Sequence, residues 1–146
     1  MNATIRDLGV DDADALLELY QHLNPGDAPP SPEAVRAVFK HAGLRHFGAF
    51  DDGRLIASCN LAVIPNLTRG GRSYGVIENV VTQADQRGRG HGQAVIRHAI
   101  EQAWKAGCYK LVLTTSRKDP AVWAFYERCG FDGGDKRAFV IRRPAD

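Results

Sequence analysis

Early in the chain, apolar residues recur at helical spacing. Ala13, Leu16, Leu17, Tyr20 and Leu23 stand three and four positions apart and mark one face of a helix. Asp11 or Asp12 offers a carboxylate to cap its start, and Asn24-Pro25-Gly26 ends it. Ahead of this helix, Thr4 to Asp7 reads as a short strand. Ser31 followed by Pro32 is a second helix start, a capping hydroxyl and then proline in the first turn. That helix carries Ala34, Val35, Val38 and Phe39 and stops near Gly43. The pattern then changes to strand signals. Arg45 to Phe50 and Leu55 to Ile64 read as two strands joined at Asp51-Asp52-Gly53, a hairpin turn in which glycine accepts positive φ.

Pro65 to Arg72 is rich in turn formers, and Tyr74 to Thr82 reads as a buried strand. Gly88, Gly90 and Gly92 follow, and a helical period begins at once with Val95, Ile96, Ala99, Ile100, Ala103 and Trp104 on one side. Gly107 is placed to end that helix. Lys110 to Thr114 reads as a further long strand. Asp119-Pro120 repeats the cap-and-proline signature for a short helix that runs to Cys129, with Gly130 after it. Phe131 and the run Arg137 to Arg142 read as closing strands. Strands alternate with helices, but hairpin-like connections interrupt the alternation. The expectation is an α+β fold, a mixed, mostly antiparallel central sheet of about six to seven strands flanked by about four helices. With 146 residues and no internal repeat or linker, residues 1–146 are expected to form a single domain.

Composition narrows the classes of function. Apolar residues make up 44% and charged residues 25%, as in ordinary globular proteins. No stretch approaches the roughly 20 apolar residues that span a bilayer. Cys59, Cys108 and Cys129 are widely spaced, with neither a CxxC pair nor metal-site spacing to histidine. A reduced, cytoplasmic setting without a bound metal is expected. The net charge of +2 argues against nucleic acid as the main partner. Its distribution is uneven: residues 1–35 hold Asp7, Asp11, Asp12, Asp14, Glu18, Asp27 and Glu33 against the single base Arg6. This segment reads either as solvated helix faces or as an acidic surface toward a cationic acceptor.

The chemistry concentrates where Val80-Val81-Thr82 leads into Arg87-Gly88-Arg89-Gly90-His91-Gly92 at the start of a helix. Glycines let the backbone turn sharply and approach a ligand. The first amides of a helix lack internal partners and point outward as donors. The helix dipole adds about 0.3–1 kcal/mol of attraction for a nearby anion. Together these form a cradle for a diphosphate, around which Arg87 and Arg89 add positive charge. From Gly88 the pattern is G-x-G-x-G, without the acidic residue further on that a dinucleotide fold uses, and no GKS or GKT follows. A helix entry rich in glycine for packing alone is the remaining reading.

Arg87, Gly90 and Gly92, as Arg-x-x-Gly-x-Gly, resemble the acetyl-CoA signature of the GCN5-related N-acetyltransferases. Downstream, Phe125-Tyr126-Glu127-Arg128-Cys129-Gly130-Phe131 resembles the FYxxxGF segment of the same family. The likeness is strong over residues 73–132 and extends to the first 70 residues in layout. Ile77-Glu78-Asn79-Val80-Val81 and Gly107-Cys108-Tyr109-Lys110 are further similar to glucosamine-phosphate N-acetyltransferases. Asn79 stands where that subfamily has an acidic residue, and Thr114-Thr115-Ser116-Arg117-Lys118 replaces its acidic stretch. The sugar substrate is therefore not carried over.

The resemblance implies acetyl-CoA as cosubstrate and a primary amine, of a small molecule, as acceptor. It implies that the strand ending at Thr82 parts from the strand at Lys110 to Thr114, and that backbone groups of Val80, Val81 and Thr82 hold the thioester arm. Residues 87–92 hold the diphosphate, with His91 acting through its backbone. Tyr126 is the expected proton donor to the departing thiolate, since a phenol keeps its proton at neutral pH; a packed aromatic beside Phe125 is the alternative. Glu78 is either the base for the amine or a structural carboxylate. Asp119 stands where relatives place a residue near the donor, and a helix cap explains it equally. Acetylation of a protein N-terminus or lysine, or a non-catalytic CoA-binding regulatory module, remain as alternatives. A homodimer is implied only by the habit of relatives.

Overall fold

The computed structural model describes residues 3–145. The chain falls into two compact units, residues 1–113 and 114–146.

The first unit is built on one sheet. Its strands are β1 (Thr4–Asp7), β2 (Leu44–Asp51), β3 (Arg54–Ile64), β4 (Tyr74–Thr82) and β5 (Leu111–Val112), adjacent in that order. The first three pairings are antiparallel and the last is parallel. The long central strands follow from local sequence. Asp52 and Gly53 both take positive φ, 49° and 77°, which is the backbone twist that joins β2 to β3 in a two-residue turn. Three helices complete the unit: α1 (Ala13–Tyr20), α2 (Pro32–Lys40) and α3 (His91–Lys105). Ser31 caps α2 as expected, accepting from the amide of Ala34 at 3.1 Å.

Side chains alternate between the faces of a strand, so β3 sorts the helices. Cys59 donates its thiol to the Val95 carbonyl of α3. Neighbouring Ser58 faces the other way, and its partner Val81 packs with Leu16 and Leu19 of α1. Thus α3 covers one face and α1 the opposite one. Leu19, absent from the expected apolar face of α1, is fully buried. Asp12 precedes α1 but does not cap it; its carboxylate turns back to the amide of Gly9 at 2.9 Å and the guanidinium of Arg6 at 2.8 Å. Asp7 likewise pairs with Arg45, at 2.9 Å. Two of the early acids are thus spent on ion pairs within the unit.

Two sequence expectations are corrected. The sheet has five strands among the described residues rather than six to seven, and the segment 110–114 contributes only Leu111 and Val112. The apolar run at Arg137 to Arg142 carries strand-forming side chains, but a strand exists only through a ladder with a neighbour. Residues 131–145 form none, leaving Phe139 and Ile141 88% and 97% exposed.

The second unit contains α4 (Pro120–Arg128), started as expected by Asp119, whose carboxylate accepts from the amide of Ala121 at 2.9 Å. Gly130, with φ of 105°, follows its end.

Candidate active site

The alternation of β4 breaks where the candidate residues begin. Glu78 pairs with Asn60 and Val81 with Ser58, so Asn79 and Val80 together stand opposite Cys59. This is a β-bulge, and Asn79 adopts φ of 53° within it. Asparagine is among the few residues with a side chain that tolerate this left-handed conformation. The pairing of β4 with β5 ends at Val76 and Val112, while β4 continues to Thr82. From Ile77 onward one edge of β4 therefore has no ladder partner among the described residues. The pair forms where Gly75 lacks a side chain: a Cβ there would overlap Leu111.

Beyond β4 the chain turns through Ala84–Gln86 into the glycine loop. Gly88 and Gly90 have φ of 77° and 86°. A Cβ on either would meet nothing within 4 Å, so the backbone conformation, and not crowding, requires glycine. Gly90 stands before α3 and supplies no side-chain cap, and the first helical bond runs from Ala94 to the Gly90 carbonyl. The amides of His91, Gly92 and Gln93 consequently have no partner within the helix. Arg87 and Arg89 are exposed beside them. The guanidinium of Arg54 beside Asp85 holds that carboxyl below its usual range, with Arg89 contributing. Open space, free amides and exposed guanidinium groups fit the diphosphate of a CoA cosubstrate, and the unpaired edge of β4 fits its amide-bearing arm.

Glu78, Val80, Val81, Thr82 and residues 87–92 thus lie on one continuous run of β4, loop and α3. Glu78 is exposed, Val81 is buried in the α1 cluster, and Val80 and Thr82 are half-buried. His91 was expected to matter through its backbone; its ring is buried, with Nδ1 lacking a hydrogen-bond partner. Asp119 and Tyr126 belong to the second unit, where Tyr126 packs edge-on against Phe125 at 5.2 Å.

Sequence reasoning missed three polar groups on the face covered by α1. Tyr20 was counted as apolar, and Asn60 and His46 were given no role. The Tyr20 hydroxyl is enclosed without a hydrogen-bond partner, and burial pushes it up to about 12. The side chain of Asn79 is close enough to counter part of that rise without completing a hydrogen bond. The one signal available in sequence was an asparagine amid the apolar run of β3.

A bulged strand opening beside a glycine-started helix, on a mostly antiparallel sheet, is the frame of an acyltransferase. The model of the acetyltransferase (GNAT) family matches residues 13–131, and the chain belongs to that family. It is 35% identical to a glucosamine 6-phosphate N-acetyltransferase of Trypanosoma brucei brucei, over 91% of both chains. A solved protein of Agrobacterium tumefaciens str. C58, provisionally described as an acetyltransferase, is 47% identical. It superposes with a TM-score of 0.91 over 96% of this chain and 99% of that one. A solved Trypanosoma brucei acetyltransferase is 32% identical, with a TM-score of 0.82 over 97% of this chain and 100% of that one. The protein is an N-acetyltransferase of GNAT type.

Proposed function

We propose that residues 1–146 act as a single domain that transfers an acetyl group from acetyl-CoA to the primary amine of a small molecule, by direct attack in a ternary complex. The observation that carries this reading is the opening of β4 from β5 beyond Val76, next to the bulge at Asn79 and ahead of the free amides of α3. Acetyl-CoA supplies a thioester whose C–S bond breaks as the amine nitrogen bonds the carbonyl carbon. Amides of His91 and Gly92, with Arg87 and Arg89, hold the diphosphate, and Gly88 and Gly90 keep the approach clear. Backbone groups of Val80, Val81 and Thr82 hold the arm, and an amide donor there stabilises charge on the carbonyl oxygen by a few kcal/mol. Much of the rate comes from holding both reactants in one geometry.

Glu78 takes the proton that the amine must lose. Tyr126 donates one to the departing sulfur, a role that rests on its place in the FYxxxGF segment. Asp119 serves α4 as its cap, and a part for it in donor binding rests on the family resemblance alone. Among small amines, amino-sugar phosphates are the first acceptors to test, because relatives bear that name over most of their length.

The test is release of CoA thiol from acetyl-CoA with a panel of amines, amino sugars and peptides, together with a direct titration of acetyl-CoA. Glu78→Gln should lower kcat/KM about 10²–10⁴-fold at neutral pH, and partly less at high pH where free amine is abundant. Absence of measurable acetyl-CoA binding would end this reading. Full activity of Glu78→Gln would remove Glu78 from it.

A further inference from the structure

The sheet face toward α1 and α2 carries polar groups that packing does not require. His46 stands directly opposite Asn60, and Asn60 opposite Glu78, across β2, β3 and β4. Directly paired residues point to the same face with Cβ atoms about 4.5–5.5 Å apart. The three side chains therefore form one row, about 10 Å long over two interstrand spacings. On the opposite face, Phe47 and Cys59 in one row and Leu61 and Ile77 in the next are buried and apolar, with Arg45 at the end of the second.

The row is graded in depth. His46 and Asn60 are 5% and 7% exposed, and Glu78 is exposed beside the bulge. Phe39 of α2 covers the His46 ring at 4.9 Å between centroids. Neither His46 nor Asn60 has a side-chain hydrogen bond among the described residues, yet neither is among the fully enclosed polar groups. Their polar tips therefore open on accessible space. The two tips are thus available to a ligand that brings hydrogen-bonding groups of its own. Tyr20, at the end of α1, adds an unpartnered hydroxyl next to Asn79.

The chemistry of the row specifies its ligand. Asn60 presents both donors and an acceptor, and an imidazole kept neutral by burial presents one of each. Such neutral pairs match hydroxyl groups. Glu78 is the only acid in the row and stands at the end nearest the opened edge of β4, where a cationic or free amine belongs. We propose that Asn60 and His46 determine acceptor specificity, binding hydroxyl groups of a compact polyhydroxylated amine whose nitrogen is directed to Glu78. This rests on the transferase reading for the identity of the amine as acceptor, but recognition by the row is testable by binding alone.

Calorimetric titration of the CoA-loaded protein with glucosamine, glucosamine 6-phosphate and cyclohexylamine separates hydroxyl recognition from amine recognition. Asn60→Leu and His46→Phe should each weaken binding of the sugars at least tenfold. Affinity for acetyl-CoA and for cyclohexylamine should stay within twofold. The volume-conserving Asn60→Asp and His46→Gln, which keep a polar group, should give smaller losses, and they serve if the apolar variants do not fold. Sugar binding unchanged in all variants overturns the proposal, as does an equal loss for every ligand, which is what a structural role would give. A wild type that prefers cyclohexylamine overturns it while leaving the transferase reading intact. Sugar binding that depends on both residues, without CoA release from acetyl-CoA, supports recognition by the row and removes the transferase reading.

Discussion

Single residues in this protein divide into those whose conformation is set locally and those whose meaning depends on a neighbour far along the chain. Ser31 and Asp119 cap their helices because each precedes a proline and three or fewer residues separate donor from acceptor. Asp12 has the same chemistry, but Arg6 and the Gly9 amide claim its carboxylate and hold it below the usual range. Tyr126 is proposed as the proton donor, a role separable from its packing. Tyr126→Phe keeps the ring that lies against Phe125 and removes the phenolic hydroxyl. Turnover should fall about 10²-fold or more, the scale of a positioned general acid, with acetyl-CoA affinity unchanged by direct titration. Unchanged turnover would send the search for the proton donor elsewhere.

At the scale of elements, β4 and α3 act as a pair, one strained by a bulge and the other started by a left-handed glycine. Gly90 takes φ of 86°, where a residue with a Cβ costs about 1–2 kcal/mol. The space beside it is open. Gly90→Val should therefore destabilise the fold by about that amount in chemical denaturation, and weaken acetyl-CoA binding further by filling the cradle. Equal losses of binding and stability, or none in binding, would argue against a diphosphate at this helix start. The glycine spacing was legible in the sequence, whereas the bulge was not. Nothing local marks Asn79 as the residue that takes positive φ, because the bulge arises from the register of β4 against β3. β5 is short for a related reason: only Leu111 and Val112 find ladder partners on β4, at Gly75 and Val76.

For the molecule as a whole, the burial of His46 gives stability a dependence on pH. Burial holds His46 below its ordinary value, so the native state keeps it neutral while the unfolded chain takes up a proton near pH 6.5. The corresponding stability is complete above about pH 6.5 and is lost as pH falls below it. Asp12 adds a second loss at lower pH, as its carboxylate is protonated and releases Arg6. Thermal unfolding of the wild type should shift downward between pH 7.5 and 5, and His46→Phe should flatten that shift. A flat wild-type profile, or the same slope in the variant, would contradict the assignment. The sequence by itself determined the starts of α2 and α4, the β2–β3 turn, the glycine loop and the family, since each is encoded within a few adjacent residues. Tertiary structure alone decided that five strands form a ladder, that β4 opens from β5, and that His46, Asn60 and Glu78 share one face. Those outcomes depend on cross-strand register, a relation between residues tens of positions apart that no local pattern records.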